Sequence, residues 1–66
     1  MLQGMICYYS LDDGKYLRSE FIDLKGTLRE AIEQAMEAAK IGKCYKQVFI
    51  QDTELKRNVY YKANFK

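Results

Sequence analysis

Leu28, Ala31, Ile32, Ala35, Met36 and Ala39 recur at i, i+3, i+4, i+7, i+8 and i+11. At 3.6 residues per turn this spacing gathers them on one stripe of a helix. The stretch Thr27 to Gly42 therefore divides the chain into two flanks of similar layout, each with β-forming residues around a polar turn. One amphipathic helix between two such flanks restricts the fold to a helix laid on a sheet, because each has one apolar face to hide.

The helix has its own punctuation. Thr27 and Glu30 have the spacing of a capping box: the threonine hydroxyl accepts the Glu30 N–H, and the glutamate returns to the Thr27 N–H. Glu30 and Glu33 lie near the positive end of the dipole, Lys40 and Lys43 near the negative end. Gly42 suits the left-handed position that closes many helices. The expected span is 28–41.

Met5 to Leu11 and Lys15 to Ile22 read as two strands joined at Asp12-Asp13-Gly14, with Gly14 suited to a positive φ. Gln47 to Gln51 and Arg57 to Ala63, extensible to Phe65, read as two more around the polar turn 52–56. The order is β-β-α-β-β, an α+β two-layer sandwich in a single small domain, 1–66. Placing the third strand beside the first avoids any parallel pair and gives an antiparallel sheet of spatial order 2-1-3-4.

Alternation along each strand assigns faces. Leu17 and Phe21, Val48 and Ile50, Val59, Tyr61, Ala63 and Phe65 are expected beneath the helix. In the first strand Met5, Cys7, Tyr9 and Leu11 form the longer and more apolar set and are placed there too. The opposite face then carries Tyr8, Tyr16, Arg18, Phe49, Tyr60 and Lys62, edged by Gln47, Gln51, Asn58 and Asn64. One helix cannot cover both sides of a sheet, so these six are the expected contact residues. Three readings compete for them. The tyrosines can be amphipathic strand residues with wet hydroxyls. They can contact another protein or a second copy of the chain, as Tyr and Arg favour interfaces. They can stack on bases while Arg18, Lys62, Arg57 and Lys56 meet phosphates, although no RNP-like motif is present.

With 66 residues and no proline, the chain is too short to bury much more than ~60% of its extended surface, and a homodimer is one ordinary remedy. Residues 1–42 hold five basic and seven acidic side chains, a net of −2, and residues 43–66 hold six and two, a net of +4. That asymmetry suits an acidic partner or an ordinary solvated surface. Lys43, Lys46, Lys56 and Arg57 are the expected basic rim, which also discourages edge-to-edge aggregation. There is no histidine, which removes the commonest general acid–base. Ser10 and Ser19 have no base motif near them, and Gly4, Gly14, Gly26 and Gly42 are isolated rather than a phosphate loop. Asp12-Asp13 and Asp52/Glu54 sit in turns, where aspartate bonds local backbone; a Mg²⁺-dependent nuclease is the catalytic alternative they allow. Cys7 is expected as a small core hydrophobe. Cys44 is expected at the helix-to-strand connection, and only a Cys₄ site shared across a dimer would hold zinc. No cofactor, metal or small-molecule substrate is expected. MLQGMICYYS has no basic n-region and no cleavage site, and no apolar run nears the ~20 residues of a membrane span. A cytoplasmic location with reduced thiols is the expectation.

The β-β-α-β-β layout resembles several small prokaryotic domain families of unknown function. Separately, Phe21 to Ala39 is similar to the HicB antitoxin pattern, in which a hairpin and a D-L-x-G-like turn precede a T-L-x-E-A-x-x-x-A helix. Asp23, Leu24, Gly26, Thr27, Leu28, Glu30, Ala31, Ala35 and Ala39 match, whereas the Pro-containing turn with its Cys and the strand between that turn and the helix have no counterpart. The resemblance implies a protein that binds and blocks another protein. The expected function is a non-enzymatic protein-interaction module, a bacterial or phage regulator or inhibitor that self-associates or caps a partner through the sheet's open face or an edge strand, with single-stranded nucleic-acid binding by the same face as the alternative.

Overall fold

The chain forms β1 (Leu2–Tyr9), β2 (Tyr16–Leu24), α1 (Leu28–Ala38), β3 (Tyr45–Asp52) and β4 (Arg57–Phe65), in a computed structural model that describes residues 1–40 and 43–65, the last three by backbone alone. The strands make one antiparallel sheet in the order β2-β1-β3-β4, as expected, and α1 packs across β1, β2 and β3. Among the described residues no helix is long and apolar enough to cross a membrane.

Local chemistry sets the start of α1. Glu30 N donates to Thr27 Oγ1 at 3.3 Å, and Thr27 N donates to Glu30 Oε1 at 3.0 Å. These bonds hold the Glu30 carboxyl below the usual carboxylate range, the Thr27 backbone N–H contributing most and its hydroxyl next. Gly26 turns the chain into the helix at φ +89, and a Cβ there would lie 2.6 Å from Glu30 Oε1. The Gln34 amide also bridges to the loop: its Nε2 donates to Lys25 O at 2.7 Å and its Oε1 accepts from Lys25 N at 3.1 Å. The helix ends at Ala38 with Ala39 as C-cap, earlier than the expected 41. The closing role expected of Gly42 lies outside the described residues.

The core lies between α1 and the even-numbered side of β1. Ile6, Tyr8, Leu24, Val48 and Ile50 are buried against Ala31, Ala35 and Ala39, with Leu2, Ile22, Ile32, Met36, Cys44, Val59 and Tyr60 at its margin. Three alanines let the helix come close to the sheet. Gly4 has the same effect within the sheet, since a Cβ on it would meet Ile22 Cγ1 at 3.0 Å and Leu24 Cδ1 at 3.2 Å.

Several face assignments are reversed. In β1 it is Ile6 and Tyr8 that face the helix, while Met5, Cys7 and Tyr9 face away. The apolar set that seemed longer from sequence included Leu11, which lies beyond the strand in the turn and is exposed. The strand begins instead at Leu2, adding Leu2 and Gly4 to the even set. In β2, Leu17 and Phe21 are exposed rather than buried, 58% and 66%, and Ile22 and Leu24 take their place. The ladder pairs Tyr8 with Arg18 but Tyr9 with Tyr16, leaving Leu17 as an extra residue in a bulge. A second irregularity pairs Ile50 with Tyr60 but Gln51 with Asn58. It turns Tyr60 toward the helix and leaves Tyr61 outside, 53% exposed. Val48, Ile50 and Val59 lie on or against the core as expected. The side chains of Ala63, Asn64 and Phe65 lie outside the described residues.

Candidate functional site

The ladder aligns side chains in rows across the side of the sheet that α1 leaves open. Phe21 pairs with Met5, Met5 with Phe49 and Phe49 with Tyr61, so one apolar row crosses all four strands. The Phe49 and Tyr61 rings are 4.8 Å apart. Two residues along, Ser19, Cys7 and Gln47 form a polar row, and beyond it Tyr16, Tyr9 and Tyr45 an aromatic one. The rows are tied together: Tyr9 Oη donates to Gln47 Oε1 at 3.2 Å, Ser19 Oγ donates to Cys7 Sγ at 3.3 Å, and Tyr16 Oη and Ser19 Oγ are 2.7 Å apart. Tyr9 and Tyr16 meet edge to face at 5.8 Å. On the other flank of the apolar row lie Asp23, Gln3, Gln51 and Asn58.

Charge is distributed against the usual rule for a solvated sheet face. Arg18, Glu20, Lys46, Asp52 and Lys62 all pair with residues of the helix-facing set. Among the described residues the open face carries one ionised side chain in its paired rows, Asp23, at the β2 edge. Partial burial first, then neighbouring Cys7, Tyr16 and Tyr61, raises the Tyr9 phenol above its ordinary range, so that hydroxyl stays neutral. Neutral rings, a thioether and amides make a surface that gains from shedding water and has little ionic hydration to lose.

The six expected contact residues divide between the two sides. Tyr16 and Phe49 lie on the open face. Tyr8 does not: it is 3% exposed in the core, and Arg18 lies over its ring at 4.4 Å. Its phenol is raised by burial and then by Glu20, with Arg18 opposing. Tyr60 packs at the core margin. Arg18 is paired with Glu20, and both it and Lys62 belong to the helix-side rows, exposed to solvent. The expected association of rings with cations on one face is therefore not present. In their place the open face holds Met5, Tyr9, Phe21, Tyr45 and Tyr61. The pattern that could have found them is the shared parity of Ile22 and Leu24 at the end of β2, which puts those two on the core side and the strand's phenylalanine outside.

The other candidate groups are also placed. Cys7 is buried, though on the open side, and Cys44 is half-buried; both are free thiols. Lys46, expected on a basic rim, is 1% exposed beside Tyr8, whereas Lys43, Lys56 and Arg57 are exposed. Asp13 Oδ1 accepts Lys15 N, and Asp52 Oδ1 accepts Glu54 N and Leu55 N. The Leu55 N–H is the largest cause of a lowered Asp52 carboxyl. Asp13 and Asp52 thus make the local backbone bonds their position suggests, while the Glu54 carboxylate lies 3.6 Å from the Met1 amine. Among the described residues there is no pocket and no cluster of three or more His, Cys, Asp or Glu able to hold a metal ion. No family model, curated protein or solved structure matches the chain.

Proposed function

We propose that this chain is a non-enzymatic protein-interaction module that docks through the open face of its sheet. The observation that carries this reading is the row Phe21–Met5–Phe49–Tyr61, apolar across four strands on a side from which the sheet's other charges are withdrawn. Charge depletion with aromatic and methionine enrichment is the composition of the dry centre of a protein interface, and a contiguous exposed apolar patch marks a contact surface. Nucleic acid is the weaker reading, because base-stacking surfaces pair their rings with cations along the same groove, and here Arg18 and Lys62 are on the other side of the sheet. The similarity of Phe21 to Ala39 to the HicB antitoxin pattern supports a regulatory or inhibitory role within the same class.

Photochemical capture tests the reading. With p-benzoylphenylalanine in place of Phe21, irradiation in the native host yields discrete protein adducts. The same group in place of Arg29, on the exposed outer side of α1, yields none. Equal labelling at the two positions, or labelling only at position 29, would rule out the open face. A complex made by this face also keeps its affinity as salt is raised, whereas a phosphate-bound complex weakens steeply.

A further inference from the structure

We infer that the occupant of the open face is a second copy of this chain, the two sheets stacked face to face about a twofold axis lying between them. This rests on the reading of that face as a protein-docking surface and adds the identity of the partner.

Area is the first support. Four strands about 4.8 Å apart and eight residues at about 3.4 Å each present a footprint of roughly 19 by 27 Å, on the order of 500 Å². Two such faces remove on the order of 1,000 Å² before side-chain relief is counted, which reaches the lower bound for a specific interface. Stacked sheets lie ~10 Å apart with strands within ~30° of alignment, and nothing but side chains need fill the gap.

Symmetry is the second support. A closed pair needs a patch that complements itself. An in-plane twofold through the apolar row lays the row on its own copy: with the axis along the row Phe21, Met5, Phe49 and Tyr61 each face themselves, and with the axis along the strands Phe21 faces Tyr61 and Met5 faces Phe49. Asp23 passes the same test. With the axis along the strands it faces Asn58 of the second copy, and with the axis along the row it faces Ser19. In neither arrangement does it meet its own charge. Each chain has a net charge of +2, yet the positive side chains of the sheet's paired rows point away from the seam, so approach brings no like charges into contact.

The third support is the thinness of the core. The helix's fully buried contribution is Ala31, Ala35 and Ala39. Stacking gives the sheet a second apolar layer on its other side, the remedy open to a chain of this length.

Sedimentation velocity from about 1 µM to about 1 mM, a range spanning ordinary protein affinities, is the test. The wild type gives a species of twice 7.8 kDa that dissociates on dilution. Phe21→Lys and Phe49→Arg each raise the dissociation constant about tenfold or more, since each places a charge in the dry row. Leu55→Lys removes an equally exposed apolar side chain in the β3–β4 turn and leaves the equilibrium unchanged. Phe21 is exposed at an edge strand, so that variant keeps the wild-type circular dichroism even if Phe49→Arg does not. A wild type that stays monomeric throughout overturns the homodimer, while adducts of another protein at position 21 would leave the docking reading standing. A dimer indifferent to both charged variants overturns both. One weakened just as much by Leu55→Lys is non-specific and overturns the homodimer.

Discussion

The two sides of this sheet are made of the same strands and differ in what they hide. The helix-facing side buries β-branched and leucine side chains in its middle, sends Arg18, Glu20, Asp52 and Lys62 to its margins and buries Lys46 beside Tyr8. The open side concentrates rings and a methionine in its middle and keeps amides, hydroxyls and a thiol around them. The first is arranged as a protein core, with most of its ionised groups at the edge and one lysine, Lys46, buried within it. The second has a core's charge pattern without a core's cover. A strand can supply apolar residues to both sides, and a helix that reaches only one of them leaves the other to be completed from outside.

The comparison breaks most readily at adjacent residues of β3. Ile50→Ala removes a fully buried side chain and should cost ~2–5 kcal/mol, a large part of the ~3–10 kcal/mol available to a domain of this size. Phe49→Ala, one residue away and on the opposite side, should cost under ~1 kcal/mol when the protein is dilute enough to be monomeric. Urea unfolding of both variants checks this, and equal losses would mean the open side is packed like the closed one. A next and smaller effect concerns the cover itself. Gly26→Ala forces a side chain into a positive φ and into Glu30 Oε1 at once, and should destabilise by ~1–2 kcal/mol in a thermal melt. Exchange protection should be lost first in α1. The smallest effect is the pH dependence of the cap. The folded-state pKa of Glu30 is lowered, so its contribution is complete above the ordinary glutamate range and disappears as pH falls through that range to the lowered value. The stability gap between wild type and Glu30→Gln is therefore widest near neutrality and closes in acid. A gap constant with pH would assign the cap to its hydrogen-bond geometry alone.

What could be read from sequence was what depends on neighbours a few residues apart. The Thr27–Glu30 box, the apolar stripe of α1, the turn at Gly14 and the strand order follow from local spacing and from avoiding a parallel pair. The side each strand turns inward depends on residues far apart in the chain, and β1 is apolar in both parities. Ile6 with Tyr8 and Met5 with Tyr9 are near-equivalent by composition. The bulge at Leu17 and the shifted pairing beside Tyr60 carry no marker residue, yet each reverses the parity beyond it. Phe49 on the open side and Val48 and Ile50 on the core side follow from alternation within the unbulged middle of β3, whereas Tyr16 reaches the open side only because the bulge at Leu17 separates it from Arg18. Lys46 was missed because a lysine long enough to reach solvent is ordinarily left there.

Gly4 carries a consequence for how the strands find their alignment. A one-residue slip of β1 would exchange its two sides, and since both sides are apolar, hydrophobicity alone would tolerate the error. The notch opposite Ile22 and Leu24 does not: a slipped strand would drive Gln3 or Met5 into a space where even a Cβ lies 3.0 Å from Ile22 Cγ1 and 3.2 Å from Leu24 Cδ1. The missing side chain thus works as a keyway that admits β1 in one setting, and filling it should give a chain that misaligns before it unfolds.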